Sequence, residues 1–383
     1  MDLSSMLARE DFFGLLSSTV EAYFREAEQK DVKLTRQKKG ANLVIKPRLS
    51  ALYPPKISKA AQAFFYSEWN VRGNRLKNFA VKTYVFFMLH TGRLFSSYRF
   101  RLTPDVAGND LVIAPNNRSI RFFDYKTGIV GCRIKDGFSD KYFKNQLQFR
   151  LKHHYDFLLP LIRWGEKWFT EPILQGHPLA RITDEALYQK GLMDAFAAIK
   201  KLADDTAHTV DARAYLRGLT ERIATLAAEA KEKKKIKTAD DTLRLLEIYK
   251  SLEDKIPAEI PVAMGHGDLQ TGNIWVMPDG KTILYDWETA GERSIWYDSA
   301  VLAYSLRRPG QWRWFLLSQT EEAYHAAAEI DSAPPAIVKY TVLLEDILFR
   351  LEDMMELPQD WGGDIYDNYL HDLKNAVTEV GIA

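Results

Sequence analysis

The chain has 383 residues, of which 46% are hydrophobic and 27% charged, the balance of a soluble globular protein with room for two or three domains. A single cysteine, Cys132, excludes a disulfide framework and argues against a cysteine metal site. The net charge of +1 hides an asymmetry: from Lys33 to Arg101 there are fifteen Lys and Arg and one acid, Glu68, which suggests an anionic partner for that part.

The first 16 residues, "MDLSSMLAREDFFGLL", lack the basic start of a signal peptide. The most apolar run, "FAVKTYVFFMLHTG", is interrupted by Lys82 and falls short of the roughly 20 residues a membrane span requires. Together these predict a cytoplasmic protein, with room for peripheral attachment to the inner face of the membrane. Residues 1–105 are predicted to form a basic, mainly helical N-terminal domain, since "DFFGLLSSTVEAYFREAEQ" and "NRLKNFAVKTYVFFMLHTGRLF" carry helical apolar spacing. The segment 72–101 fits a helix with a buried aromatic face and a wet basic one. It also fits a helix lying on an anionic membrane surface, or a grip for a phosphorylated or acidic glycan. No nucleic-acid module is present in it.

From 106 to 180 the texture becomes that of strands. "DLVIAP" is a short apolar run. "SIRFFDY" and "IVGCRIK" are joined by "KTG" as a hairpin, with Gly128 supplying the turn. "DKYFKNQLQFRLKHH" returns to helical spacing, and "FLLPLIRW" and "KWFTEPIL" read as two further strands. Residues 181–383 are mainly helical, interrupted by "GHGDLQTGNIWVMPDGKTILYDWE" within 264–288. There Pro278, Asp279 and Gly280 turn a hairpin whose outer ends bring Asn273 and Asp286 together, with Asp268 at the same mouth. Two carboxylates and an amide oxygen suit Mg²⁺, which takes few protein oxygens and leaves the remainder to water and phosphate. This is a constellation for phosphoryl transfer.

"HGDLQTGN" followed by "DWE" resembles the aminoglycoside phosphotransferase and choline kinase family. The resemblance implies an α+β, two-lobed protein-kinase-like fold: a small antiparallel β N-lobe, a mainly helical C-lobe and here an extra N-terminal helical domain. It implies ATP and Mg²⁺ as cofactors and transfer of the γ-phosphate to a hydroxyl of a small molecule, such as an amino sugar, a sugar, a choline-like alcohol or an envelope glycan. Asp268 is then the catalytic base and His266 braces its loop. Asn273 and Asp286 are the metal ligands, assisted by Glu288, and Asp298 holds the loop. Lys135 is the candidate for the α/β-phosphates. Glu171 to Leu174, Ile173 among them, would offer backbone hydrogen bonds to adenine.

One departure stands out. The family pairs the third-strand lysine with a glutamate on the next helix, whereas this helix offers Gln146 and Gln148, and Asp140 only if the helix starts early. The alternative it opens is a pseudokinase acting as a scaffold. The stretch Glu345–Asp372 carries nine acids against Arg350, with Trp361, Tyr366 and Tyr369 nearby. It fits either a solvated helix face or a wall for a cationic acceptor.

Overall fold

A computed structural model describes residues 6–7, 10–37, 39–68, 75–318, 333–357 and 362–380. Two compact units emerge: Met1–Tyr188 with Trp275–Tyr285, and Gln189–Ile274 with Asp286–Ala383.

The first unit is built on a five-stranded antiparallel sheet. Its strands are β4 (Leu111–Pro115), β5 (Ser119–Asp124), β6 (Ile129–Ile134), β7 (Arg163–Trp164) and β8 (Trp168–Pro172), in the order β4-β5-β6-β8-β7. The expected hairpin is present, with Ser119 opposite Ile134, Asp124 opposite Ile129 and Gly128 at φ +72° in the turn. The helix expected after it spans Lys141–Lys152. Of "FLLPLIRW" only Arg163 and Trp164 are strand; Pro160, which has no N–H to give a ladder, precedes them.

Alternation along the strands gives the sheet two different faces. Ile113, Ile120 and Phe122 join the core made with α1 (Phe12–Ala27). The rings of Tyr23 and Phe122 stack at 3.9 Å. A Cβ on Gly131 would lie 2.0 Å from the Tyr23 hydroxyl oxygen, so the bare backbone is what lets the helix approach. On the other face, Val112 and Phe123 meet α2 (Lys59–Glu68) and α3 (Arg75–His90).

The N-terminal region carries more helix than strand, and beside its helices it contains a second sheet, β1 (Lys33–Arg36), β2 (Leu43–Ile45) and β3 (Tyr98–Thr103), ordered β1-β3-β2. Its Leu34, Leu43, Ile45 and Phe100 share one core with Leu111, Ile113 and Phe122.

In the second unit, β10 (His208–Asp211), β11 (Glu259–Gly265) and β14 (Gly291–Ser294) form an antiparallel sheet ordered β10-β11-β14. Its helical part is centred on the helix Pro335–Met355, most of whose residues are buried, against the helices Ala212–Lys233 and Gly363–Val380. A helix apolar around most of its circumference belongs in a core. Yet it carries Glu345 and Asp346 at its middle, both buried. No helix among the described residues is long and apolar enough to cross a membrane.

Candidate active site

β11 ends at Gly265 and delivers the chain into His266, Gly267 and Asp268. The loop is gripped from one side. The Asp298 carboxylate, in the first turn of the helix Tyr297–Ala303, accepts the backbone N–H of His266 with Oδ2 and that of Gly267 with Oδ1 at 2.9 Å. Hydrogen bonds to an ionised acceptor are among the stronger kind, so Asp298 grips the backbone of the loop. Gly267 sits at φ +84°, and a Cβ there would lie 2.4 Å from the Thr289 carbonyl oxygen. His266 is fully buried, its ring 4.5 Å from that of Trp287 and its carbonyl accepting the Thr289 hydroxyl at 3.0 Å. Its Nδ1 accepts the Asp268 backbone N–H at 3.3 Å. These contacts place His266 as a brace for the backbone that carries Asp268.

The Asp268 side chain is partly exposed. Its Oδ1 accepts Arg307 Nε at 2.7 Å and its Oδ2 accepts Gln270 Nε2 at 3.0 Å. Asn273 turns its Nδ2 towards the Asp268 backbone carbonyl at 2.9 Å, which directs its Oδ1, the only atom of the amide able to ligate a cation, the other way. The strands β12 (Ile274–Val276) and β13 (Thr282–Leu284) are neighbours in a sheet completed by β9 (His177–Pro178) and are closed by the turn Met277–Lys281, so Asn273 and Asp286 flank the same end of the hairpin. Asp286 adopts φ +69°, ψ +59°, a left-handed conformation uncommon outside glycine. Residues held there persist where surrounding structure imposes it, commonly at functional sites. Glu288 follows in the short 3₁₀ turn Trp287–Thr289 and is partly exposed.

The donor set fits Mg²⁺. Asn273 and Asp286 offer hard oxygens, the donor type that Mg²⁺ takes. Few protein oxygens and an otherwise open shell are what this ion takes.

Arg307 has no counterpart in the sequence reading. Its guanidinium bonds Asp268, the Asp346 carboxylate, the Gly267 carbonyl at 2.7 Å and the Tyr297 hydroxyl at 2.9 Å, and lies 4.2 Å over the Phe349 ring. Burial disfavours the charged forms, but mutual attraction overrides it: Arg307 is held well above its ordinary value, and Asp346 stays below the usual carboxylate range through Arg307 and Arg350. Beside it, burial pushes Glu345 up to about 7, although Ser294 and Tyr215 donate to it. The one available signal was "LLEDILF", two adjacent acids in an apolar helix.

The other acids of this stretch are partly spent on structure. Asp367 accepts the Lys237 N–H at 3.0 Å and the Thr238 hydroxyl at 2.7 Å, and Asp372 accepts the Gly310 N–H at 2.6 Å. Tyr366 is buried against Thr242, and Tyr369 donates to Asp346. Asp360 and Trp361 lie outside the described residues.

The first unit holds a cavity of about 600 Å³ lined by Phe123, Val130, Ile173, Leu174, Trp275 and Tyr285, with Arg121, Lys59 and Lys82 at its polar parts. Ile173 therefore lines a pocket, but its backbone N–H is taken by the Gly128 carbonyl at 2.8 Å. The Glu171 side chain is buried, paired with Arg150 at 2.6 Å and accepting the Tyr285 hydroxyl at 2.7 Å. Lys135 follows β6 on the opposite side from Val130. Its ammonium is buried against Glu10 at 2.6 Å and the Asn117 carbonyl at 3.2 Å, an arrangement that leaves it serving the N-terminal segment rather than the cavity. Asp140 pairs with Lys144, and Gln146 is buried. The buried charge on the helix Lys141–Lys152 is thus a cation, Arg150, and its partner acid sits on β8.

Residues 165–333 match the phosphotransferase enzyme family. The matched segment contains His266, Asp268, Asn273, Asp286, Glu288, Asp298 and Arg307, while Glu345, Asp346 and the residues beyond them lie outside it. The match supports a phosphotransferase activity class for this segment, which lies within an α+β architecture of helices and antiparallel sheets. Solved structures similar to this chain include an ethanolamine kinase of Plasmodium vivax (15% identity, 84% of this chain and 93% of that chain, TM-score 0.46). Another is a choline kinase of Streptococcus pneumoniae (14%, 72% and 89%, 0.44). A third is a thermostable aminoglycoside phosphotransferase mutant in complex with ADP and hygromycin B (15%, 72% and 95%, 0.47). No curated protein sequence matches the chain.

Proposed function

We propose that this protein is an ATP- and Mg²⁺-dependent phosphotransferase that moves the γ-phosphoryl group to a hydroxyl of a small molecule. The observation that carries the reading is the arrangement of Asp268, Asn273 and Asp286: one carboxylate held by Gln270 and Arg307, its backbone carbonyl held by Asn273, and two further oxygen donors at the end of one hairpin. Asp268 accepts the acceptor hydroxyl's proton and orients its oxygen for in-line attack. Asn273 Oδ1 and Asp286 hold the metal, with Glu288 beside them. When bound, Mg²⁺ neutralises charge on the phosphates. Asp298 and His266 keep the loop from relaxing, so catalysis rests on positioning and charge complementarity fixed before the substrate arrives. The apolar and aromatic walls around Val130, Ile173 and Trp275 suit a nucleoside base.

A second reading, a pseudokinase scaffold, draws on one observation: Lys135 is bound to Glu10, and the neighbouring helix presents Gln146 and Arg150 where the resemblance calls for an acid. Calorimetric titration of Mg²⁺·ATP into the wild type and Asp286→Ala separates the two. The phosphotransferase reading expects binding that requires Mg²⁺ and weakens in the variant. Absence of binding to the wild type favours the scaffold.

A further inference from the structure

The outward side of α3 is not the side of an ordinary surface helix. Val81, Tyr84, Val85, Met88 and Leu89 face the core with α2 and the sheet. Yet Leu76, Phe79 and Phe86, at steps of three and seven along the helix, share a second face turned to solvent, with Leu76 84% and Phe79 74% exposed. Phe87 lies next to them, and the turn that follows α3 adds Leu94 and Phe95, 64% and 59% exposed. A helix apolar on its core face and again on its solvent face has a second apolar environment to meet.

The turn is built to present these side chains. Phe95 sits at φ +57°, a conformation a bulky residue adopts only where the surroundings impose it. The buried ammonium of Lys46 anchors the end of α3 by bonding the Met88 carbonyl and the Thr91 hydroxyl, the latter at 2.7 Å. Directly beyond Phe95, a hollow of about 520 Å³ is lined by Arg36, Gln37, Ser96, Ser97, Tyr98 and Arg99. The exposed residues Arg48, Lys56, Lys59, Lys82 and Arg93 belong to the same segment, in which fifteen basic residues meet one acid.

We propose that the outward face of α3 and the Leu94–Phe95 turn docks onto an anionic lipid bilayer. Leu76, Phe79, Phe86 and Phe95 enter the interface, and the lysines and arginines around them meet anionic headgroups. The chemistry is that of an interfacial element: apolar side chains supply depth, and the basic residues supply selectivity for negative surface charge. The charge balance selects this occupant over a second copy of the chain, because two such faces would bring like charges together. The inference is independent of the phosphotransferase reading.

The test is co-sedimentation of the full chain with phosphatidylcholine vesicles, with and without phosphatidylglycerol, at low and high salt. Two variants accompany the wild type: Phe79→Ser with Phe86→Ser and Leu94→Ser, and Arg48→Glu with Arg93→Glu. The wild type is expected to sediment with the anionic vesicles only and to be released by salt. Each variant is expected to lose roughly tenfold or more in partitioning, with its thermal unfolding midpoint unchanged. A wild type that stays in the supernatant overturns the proposal, as does equal binding to neutral vesicles. A concentration-dependent dimer in ultracentrifugation that the serine variant abolishes also overturns it, by assigning the face to self-association.

Discussion

Replacing Arg307 by methionine tests the network under the loop. The substitution keeps an unbranched side chain over the Phe349 ring but removes the cation from Asp346, which is fully buried, and from Asp268. Breaking a buried ion pair by deleting one partner costs about 3–5 kcal/mol, because the remaining charge is left without compensation. Asp346 keeps the Tyr297 hydroxyl at 3.0 Å, the Tyr369 hydroxyl at 2.7 Å and Arg350 at 3.8 Å, which places the cost near the lower end, about 3 kcal/mol. For a unit of this size that corresponds to a midpoint lowered by roughly 6–12 °C. The assay is thermal unfolding of the wild type, Arg307→Met, Asp346→Asn and the double variant. Once either partner is gone, removing the other costs less, so the double variant should fall short of the summed single costs by about 2 kcal/mol. The pH dependence has a sign. The Asp346 carboxyl lies below its ordinary value of 3.8 in the wild type, so the pair stabilises above that pH and its contribution is lost as pH falls through the depressed value. The deficit of Arg307→Met should therefore be full at neutral pH and narrow in acid. Costs that add to within about 0.5 kcal/mol, or a midpoint close to that of the wild type, would refute the reasoning.

Two further expectations follow from buried charges. Lys135→Met should destabilise the protein by about 3 kcal/mol through the stranded Glu10 carboxylate while leaving the affinity for Mg²⁺·ATP unchanged; weaker nucleotide binding by a fully folded variant would restore the phosphate role expected from sequence. Glu345 is raised by burial from 4.5 to about 7, so its folded form favours the proton, and its contribution to stability is present below pH 4.5 and lost as pH rises through about 7. Stability measured by urea unfolding should fall across that window, and Glu345→Gln should flatten the slope; a variant with the wild-type slope would assign the dependence elsewhere.

What the sequence made legible is what local pattern encodes. The β5–β6 hairpin follows from alternation and a glycine turn, the helix 141–152 from its period, and the placement of Asp268, Asn273, Asp286 and Asp298 from motif spacing along one stretch. What it hid depends on contacts between distant positions. Each strand of the β1-β3-β2 sheet is short, and β1 finds its partner far along the chain, with Lys33 opposite Thr103 and Arg36 opposite Phe100. Nothing near "SLRRPG" announces that Arg307 reaches a carboxylate 39 residues away in either direction. The surroundings of Lys135 were hidden for a simpler reason. One residue along a strand reverses the face, and Lys135 sits on the side of Arg133, which pairs with Glu26 of α1, rather than that of Val130.

Gly131 has a historical implication. A strand with an ordinary side chain at its centre can live with or without a helix over it. Once that side chain has been given up so that Tyr23 can lie against the backbone, the bare strand has nothing of its own to cover the gap, while Glu26 and Glu28 of the same N-terminal segment bind Arg133 and Arg163 on the sheet. Losing the N-terminal segment would then expose apolar strand and strand two buried or half-buried cations in a single event. The step works like a ratchet: an appendage that could first have been optional becomes one the sheet cannot shed.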